Sequence, residues 1–250
     1  MEDIPDSHPR KASLLARSRL TEAAAEGLLA ESAMIAHGRG EAFDYLLGER
    51  TSDSALKAIR ESAARLLRAD NPVISMNGNS TVLAGKDAIR VAAIIGCPIE
   101  VNIYYRTDER MAKLIATLES WKSEIAKEDA RVSNVEILGA NADGRIDGLE
   151  GPRAFCSSRG IESADVILVP LEDGDRCEAL IALGKQVIAI DLNPLSRTAR
   201  TATVTIVDEV TRTMARLCET LDESLEVTDW DNNQNLREAL DIMATASNRV

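Results

Sequence analysis

The chain has 250 residues, 45% of them apolar and 28% charged, with a net charge of −12. That length supports a full core; the negative balance excludes a nucleic-acid partner, since phosphate needs a basic face, and no apolar run approaches the ~20 residues that span a bilayer, so no membrane partner is expected. Cys97, Cys156, Cys177 and Cys218 are scattered with no CxxC pair, and residues 1–13 lack the apolar stretch of a secretory signal, so free buried thiols and a cytoplasmic location are expected.

Residues 1–72 read as a helical block. Pro9 suits a first helical turn with Ser7 or His8 as its cap, and Leu14, Leu15, Leu20, Leu28 and Leu29 follow at helical spacing. Next comes His37-Gly38-Arg39-Gly40-Glu41, in which a His and an Arg are each followed by a Gly that allows close approach of a ligand to the backbone. For His37, packing and ligand contact both remain open. A third helix over 54–69 has Leu56, Ile59, Ala63 and Leu66 on one face and reads as scaffold.

From Asn71 strands alternate with helices. A strand over 72–76 runs into Asn77-Gly78-Asn79-Ser80-Thr81, followed by a helix from about 82 to 95. This turn offers backbone N–H groups to an anion, and Ser80 or Thr81 also fits as a helix cap. A strand over 99–105 ends at Tyr105-Arg106, with Thr107 or Asp108 capping a helix over 109–127. A weak strand over 134–138 precedes a Gly- and Asp-rich loop at 139–152, a candidate lid, and a short helix near 153–159. The strand at 165–169 ends in Glu172-Asp173-Gly174-Asp175-Arg176; a helix over 177–184 leads to the strand at 186–190. That strand ends in Asp191-Leu192-Asn193-Pro194-Leu195-Ser196-Arg197-Thr198. A sixth strand at 203–207 and a helix over 209–225 follow, and the acidic segment beyond reads as a solvated helix or partly ordered tail.

Six strands alternating with helices predict an α/β fold: a doubly wound, mostly parallel, Rossmann-like sheet with right-handed crossovers. The expected division is a helical segment at 1–72 packed on the core or mediating a dimer, an α/β domain at 73–225 and a tail at 226–250. Strand order stays open. In such a sheet the polar clusters leave at the carboxyl edge, where open α/β sheets bind ligands. GxxxxGK[ST] and GxGxxG are both absent, which excludes a P-loop and disfavours a nicotinamide oxidoreductase. Most of the 22 arginines reflect composition, but Arg17, Arg39, Arg106, Arg176 and Arg197 sit in or beside polar clusters and offer the planar fork that grips phosphate or carboxylate. Asp173, Asp175 or Asp191 suits ribose hydroxyls or a magnesium–water shell. No Ser/His/Asp or Cys/His nucleophile set occurs, so any chemistry rests on positioning and charge stabilisation. Taken alone, the residues describe a site for a phosphorylated or nucleotide ligand, and an enzyme and a non-catalytic adenine-nucleotide-binding regulatory module both fit.

Longer blocks are more specific. Ser7-His8-Pro9-Arg10, residues 36–49 and Val73-Ile74-Ser75-Met76-Asn77-Gly78-Asn79 resemble the archaeal 4-phosphopantoate–β-alanine ligases, also called phosphopantothenate synthetases. So do residues 100–107, 169–176 and 190–199. The likeness runs in order from Ile4 to about Val210 and fades in the helix over 109–127, the loop after Leu138 and the acidic tail; Cys177 and Met76 stand where the family has Thr and Val.

The resemblance implies that ATP, 4-phosphopantoate and β-alanine give 4′-phosphopantothenate, AMP and diphosphate in coenzyme A biosynthesis. It further implies an acyl-adenylate intermediate, Mg²⁺ as cofactor and a homodimer. By position, Arg17 and Arg39 would hold ATP phosphates, and Asp173, Gly174, Asp175 and Arg176 would line the nucleotide site. Asp191, Leu192 and Asn193 would meet ribose or base, with Ser196, Arg197 and Thr198 beside them. Asn77, Gly78, Asn79, Tyr105 and Arg106 would take phosphopantoate. Arg39, His37 and Arg176 are the candidate catalytic groups, and no metal ligand is assigned.

Overall fold

In the computed structural model, which describes residues 4–170, 173–221 and 224–249, three helices precede the first strand. They are α1 (Lys11–Ala25), α2 (Ser32–Leu47) and α3 (Asp53–Arg68). Helix α1 starts later than Pro9 suggests, because His8 Nδ1 accepts the Arg10 N–H at 3.1 Å and holds the chain in a turn before the helix. Helix α3 begins where the Ser52 side chain accepts the Ala55 N–H at 3.1 Å. It buries Ala55, Ala58, Ile59, Ala63 and Leu66 along one stripe.

The alternating part comprises β1 (Pro72–Met76), α4 (Gly78–Ile95), β2 (Ile99–Val101), α5 (Asp108–Ile125) and β3 (Ile137–Leu138). A two-stranded antiparallel ribbon, β4 (Gly144–Arg145) with β5 (Phe155–Cys156), lies within the segment expected to be a lid and a short helix. Then come β6 (Val166–Pro170), α6 (Gly174–Ala182), β7 (Gln186–Ile190), α7 (Arg197–Thr201), β8 (Val204–Ile206), α8 (Val210–Thr220) and α9 (Asn232–Ala244). In place of one helix near 153–159, short helical turns at Pro152–Ala154 and Ser158–Glu162 flank β5. The buried Glu100 carboxylate accepts the Ser157 and Ile161 N–H groups at 3.0 and 2.9 Å, taking donors that a helix would have used internally.

The main sheet is parallel throughout, in the order β3-β2-β1-β6-β7-β8. The two halves of the chain therefore wind outward from the β1–β6 pair, so the topological switch point, and its ligand crevice, falls at the carboxyl ends of β1 and β6. Strands β6 and β7 are apolar along both faces because both are covered. On one face, α1, α3, α4, α5 and α8 pack over residues such as Ile74, Leu168, Ile188 and Ile206. On the other, α6 and residues 146–164 cover Val73, Ile167, Val169 and Val187. A third cluster joins Leu47, Leu192, Ala199 and Val207 to Leu236, Ala239 and Met243 of α9. The acidic segment, expected to be solvated, thus contributes a packed helix: its charges face outward while its apolar stripe is buried. No helix among the described residues is long and apolar enough to cross a membrane.

Candidate active site

At the switch point Asn77 has three tasks. Its side-chain oxygen accepts the Ser80 N–H at 3.0 Å, its own N–H donates to Ser80 Oγ at 2.9 Å, and its Nδ2 donates to the Pro170 carbonyl at 3.0 Å. The first two form a capping box and start α4 at Gly78, four residues before the sequence suggests. The third ties the ends of β1 and β6 together.

Beside this tie a cavity of about 300 Å³ lies over the carboxyl ends of β6, β7 and β8, roofed by α1 and α2. Two ionic knots hold the roof. Glu41 of α2 accepts Arg10 Nη2 at 2.7 Å, Arg17 Nε and Nη2 at 3.0 and 2.8 Å, and the Ser13 hydroxyl. Burial works against its charge, but these hydrogen bonds hold the carboxyl below its ordinary range. Asp44, also on α2, receives the Arg212 fork at 3.0 and 2.6 Å, and the same guanidinium reaches Asp208 Oδ1 at 3.0 and 2.6 Å. Asp208 follows β8 and is 1% exposed. Burial pushes its carboxyl up against the opposing charge of Arg212, and the Thr51 hydroxyl also reaches this carboxylate. Burial likewise holds the His37 imidazole below its usual range, with Arg17 acting in the same sense against Glu41 and Glu209. The uncharged imidazole is therefore the favoured form of His37.

The structure divides the expected site residues into three groups. His37, Asn79 and Leu192 line the cavity. Around it, Arg17 is clamped on Glu41, and Arg39 is exposed on α2 with its charge felt by Asp191. Asp191 accepts the Asn193 N–H at 2.9 Å and the Ser196 hydroxyl at 2.5 Å, while burial pushes its carboxyl up. Ser196 in turn caps α7. Asp173 and Asp175 are exposed at the start of α6, and Arg197 spans Asp175 and Glu178 at 2.6 and 2.8 Å. A side chain at Gly174 would meet Arg197 Cβ at 2.8 Å, so Gly is required there.

The third group lies away from the cavity. Arg176 is fully buried, with its Nη2 donating to Ser75 Oγ at 3.2 Å beneath the sheet edge. Thr198 is buried, and its carbonyl faces the Cys177 thiol. The Arg106 guanidinium donates to the Gly139 and Ala140 carbonyls at 2.7 and 3.2 Å, pinning the loop after β3. Tyr105 is exposed beside Tyr104. Gly78 packs on Leu29. Leu171 and Glu172 of the first polar cluster lie outside the described residues. Arg10, Arg19, Asp208 and Arg212 also wall the cavity, although sequence reasoning did not select them. Asp208 follows the sixth strand, so the carboxyl-edge rule, applied to that strand too, would have found it.

Sheet order, switch-point crevice and roofed cavity define the class: a doubly wound α/β protein with a cavity at the carboxyl edge of its sheet. Within that class the chain belongs to the phosphopantothenate/pantothenate synthetase family, whose sequence profile matches residues 54–246. It is 44% identical over 249 residues to a 4-phosphopantoate–beta-alanine ligase of Thermococcus onnurineus, covering 96% of this chain and 92% of the relative. A 4-phosphopantoate–beta-alanine ligase of Methanosarcina mazei is 45% identical, covering 96% and 94%. One of Methanospirillum hungatei is 48% identical over 223 residues, covering 88% and 86%.

Proposed function

We propose that this chain is an ATP-dependent ligase that condenses 4-phosphopantoate with β-alanine to give 4′-phosphopantothenate, AMP and diphosphate. The reading rests on family membership together with one observation: the His-Gly-Arg-Gly-Glu segment of α2 is pinned over the carboxyl edge, between the loops that follow β7 and β8. In the first step the pantoate carboxylate attacks the α-phosphate, diphosphate leaves and an acyl-adenylate forms. In the second the amine of β-alanine attacks the acyl carbon and AMP leaves.

The chain's residues fit these steps by position. Arg17 and Arg39, on adjoining helices, face the triphosphate. Arg197 borders the nucleotide with Asp173, Gly174 and Asp175, and Asp191, Leu192, Asn193 and Ser196 meet ribose or base. Phosphopantoate lies at the crevice formed by Asn77, Gly78 and the N-terminus of α4, flanked by Tyr105 and Arg106. Arg176, shut off from the cavity, positions the 173–175 loop through its anchor on Ser75. Among the described residues no three His, Cys, Asp or Glu groups stand together to hold a metal. That donor set suits Mg²⁺ carried in on the phosphates and met by one or two carboxylates such as Asp173 or Asp175. Bound there, Mg²⁺ supplies positive charge to the leaving diphosphate. A homodimer in the cytoplasm completes the proposal.

Product analysis tests it. Purified protein with ATP, Mg²⁺, 4-phosphopantoate and β-alanine, each omitted in turn, is expected to release AMP and diphosphate only with both acids present. ADP and phosphate instead would replace the adenylate with an acyl phosphate. Bound ATP without turnover would leave a regulatory nucleotide-binding module.

A further inference from the structure

Three polar atoms on the cavity wall make no hydrogen bond of good geometry among the described residues: His37 Nε2, Asn79 Oδ1 and Asp208 Oδ2, with the Thr51 hydroxyl near the last. They come from α2, α4 and the end of β8, and the remaining polar atoms of Asn79 and Asp208 are engaged elsewhere. Asn79 Nδ2 donates to the Ala33 carbonyl at 2.9 Å, which fixes the amide, because only its NH₂ end can donate. Asp208 Oδ1 accepts Arg212 and, at 2.8 Å, the Glu209 N–H. Leaving a buried acceptor unpaired costs its full desolvation penalty. Asn79 Oδ1 and a charged Asp208 Oδ2 can only accept, and His37 Nε2 accepts when the proton is on Nδ1, so the set suits a ligand rich in donors.

Phosphates and carboxylates are acceptors throughout and would be repelled by this set. A protonated primary amine carries three N–H donors to meet them. The opposite end of a short amino acid also finds a partner. Arg19 lines the same cavity and donates to the Val82 and Leu83 carbonyls, each at 2.6 Å, with no carboxylate partner among the described residues. Arg10 and Arg212, the other cavity arginines, are already spent on acidic partners. Arg19 also borders an outer crevice of about 660 Å³, which places it between the cavity and solvent.

We propose that this part of the cavity is the β-alanine subsite, with the ammonium held by Asp208, Asn79 and His37 and the carboxylate by Arg19. The inference rests on the ligase reading and deepens it, placing the amino substrate in the part of the cavity walled by α1, α4 and the end of β8, and the nucleotide along residues 173–198, which meet the cavity at Leu192. On this placement the proton that the ammonium sheds passes to His37 Nε2. The freed nitrogen lone pair forms the C–N bond as the acyl–oxygen bond to AMP breaks, and the second proton lost on forming the amide leaves to solvent.

Steady-state kinetics of Asn79→Ala, Arg19→Gln and Asp208→Asn, varying each substrate in turn, test the assignment. The KM for β-alanine is expected to rise tenfold or more in each, with the KM for ATP changing less than twofold throughout and that for phosphopantoate changing less than twofold in Arg19→Gln and Asp208→Asn. If Asp208→Asn fails to fold because Arg212 loses its partner, Asn79→Ala and Arg19→Gln decide the matter. An unchanged β-alanine KM in those two, or an ATP KM that rises as much, overturns the subsite. Failure of the ligase reading itself is seen separately, as wild-type protein that makes no AMP from the full mixture.

Discussion

His37 shows what burial does to a single group. Its ring borders a cavity of about 300 Å³, and burial favours the uncharged form. A histidine whose folded pKa is lowered binds fewer protons folded than unfolded, so stability falls as pH drops through about 6.5, the unfolded value, until the folded imidazole itself protonates. NMR titration of the wild type is expected to place the His37 midpoint below 6.5. Urea denaturation from pH 7.5 to 5 should show a decline in stability that is smaller in His37→Gln; equal slopes in the two proteins would contradict this account. At the same scale the sequence was only partly legible. His37, Asn79 and Leu192 were selected and do line the cavity, whereas Arg176 looked like a ligand group and is a buried anchor on Ser75. A one-dimensional reading sees the charge of an arginine after a Gly-Asp turn, but not that the first turn of α6 rotates it beneath the sheet.

Among the elements, α2 depends on three arginines from two directions: Arg10 and Arg17 of the α1 region at Glu41, and Arg212 of α8 at Asp44. The Arg212 knot is the more buried, with Asp44 and Asp208 side chains 8% and 0% exposed. Removing one partner of a buried pair leaves uncompensated charge at a cost of about 3–5 kcal/mol. Arg212→Met is expected to lower the urea midpoint by a corresponding amount. It should also speed amide exchange in the last turn of α2 before it does so in α5, as hydrogen-exchange mass spectrometry would record. Uniform acceleration over the whole chain would show that α2 is not separately latched. No spacing in the sequence announces this contact, because Asp44 and Arg212 lie 168 positions apart.

For the whole molecule, the alternation of strand and helix was enough to predict a doubly wound sheet, because apolar runs such as Val166–Pro170 are legible wherever both faces are covered. Strand order was not legible, since either half could wind on either side. Nor was the part played by the acidic segment, whose many carboxylates hide a stripe of Leu236, Ala239 and Met243. Helix α9 also closes an edge: Asn232 Oδ1 accepts the Thr205 N–H and Asn235 Nδ2 donates to the Thr205 carbonyl, both at 2.8 Å. These side chains occupy backbone groups of β8 that would otherwise recruit another strand. Deleting residues 226–250 is expected to lower the melting temperature and produce light-scattering aggregates on warming; a monodisperse truncated protein with unchanged melting would refute this role.

The close packing of α4 has an optical consequence. Where a Cβ on Gly85 would stand, the Trp121 ring is 2.7 Å away, so indole and helix backbone are in direct contact. The same helix starts at Asn77, whose amide ties the two halves of the sheet. A shift of α4 on filling the crevice therefore changes the surroundings of one of only two tryptophans in the chain. Its emission is expected to change on filling the crevice, a readout that needs no dye and no coupled assay; unchanged emission at saturation would show that α4 stays in place.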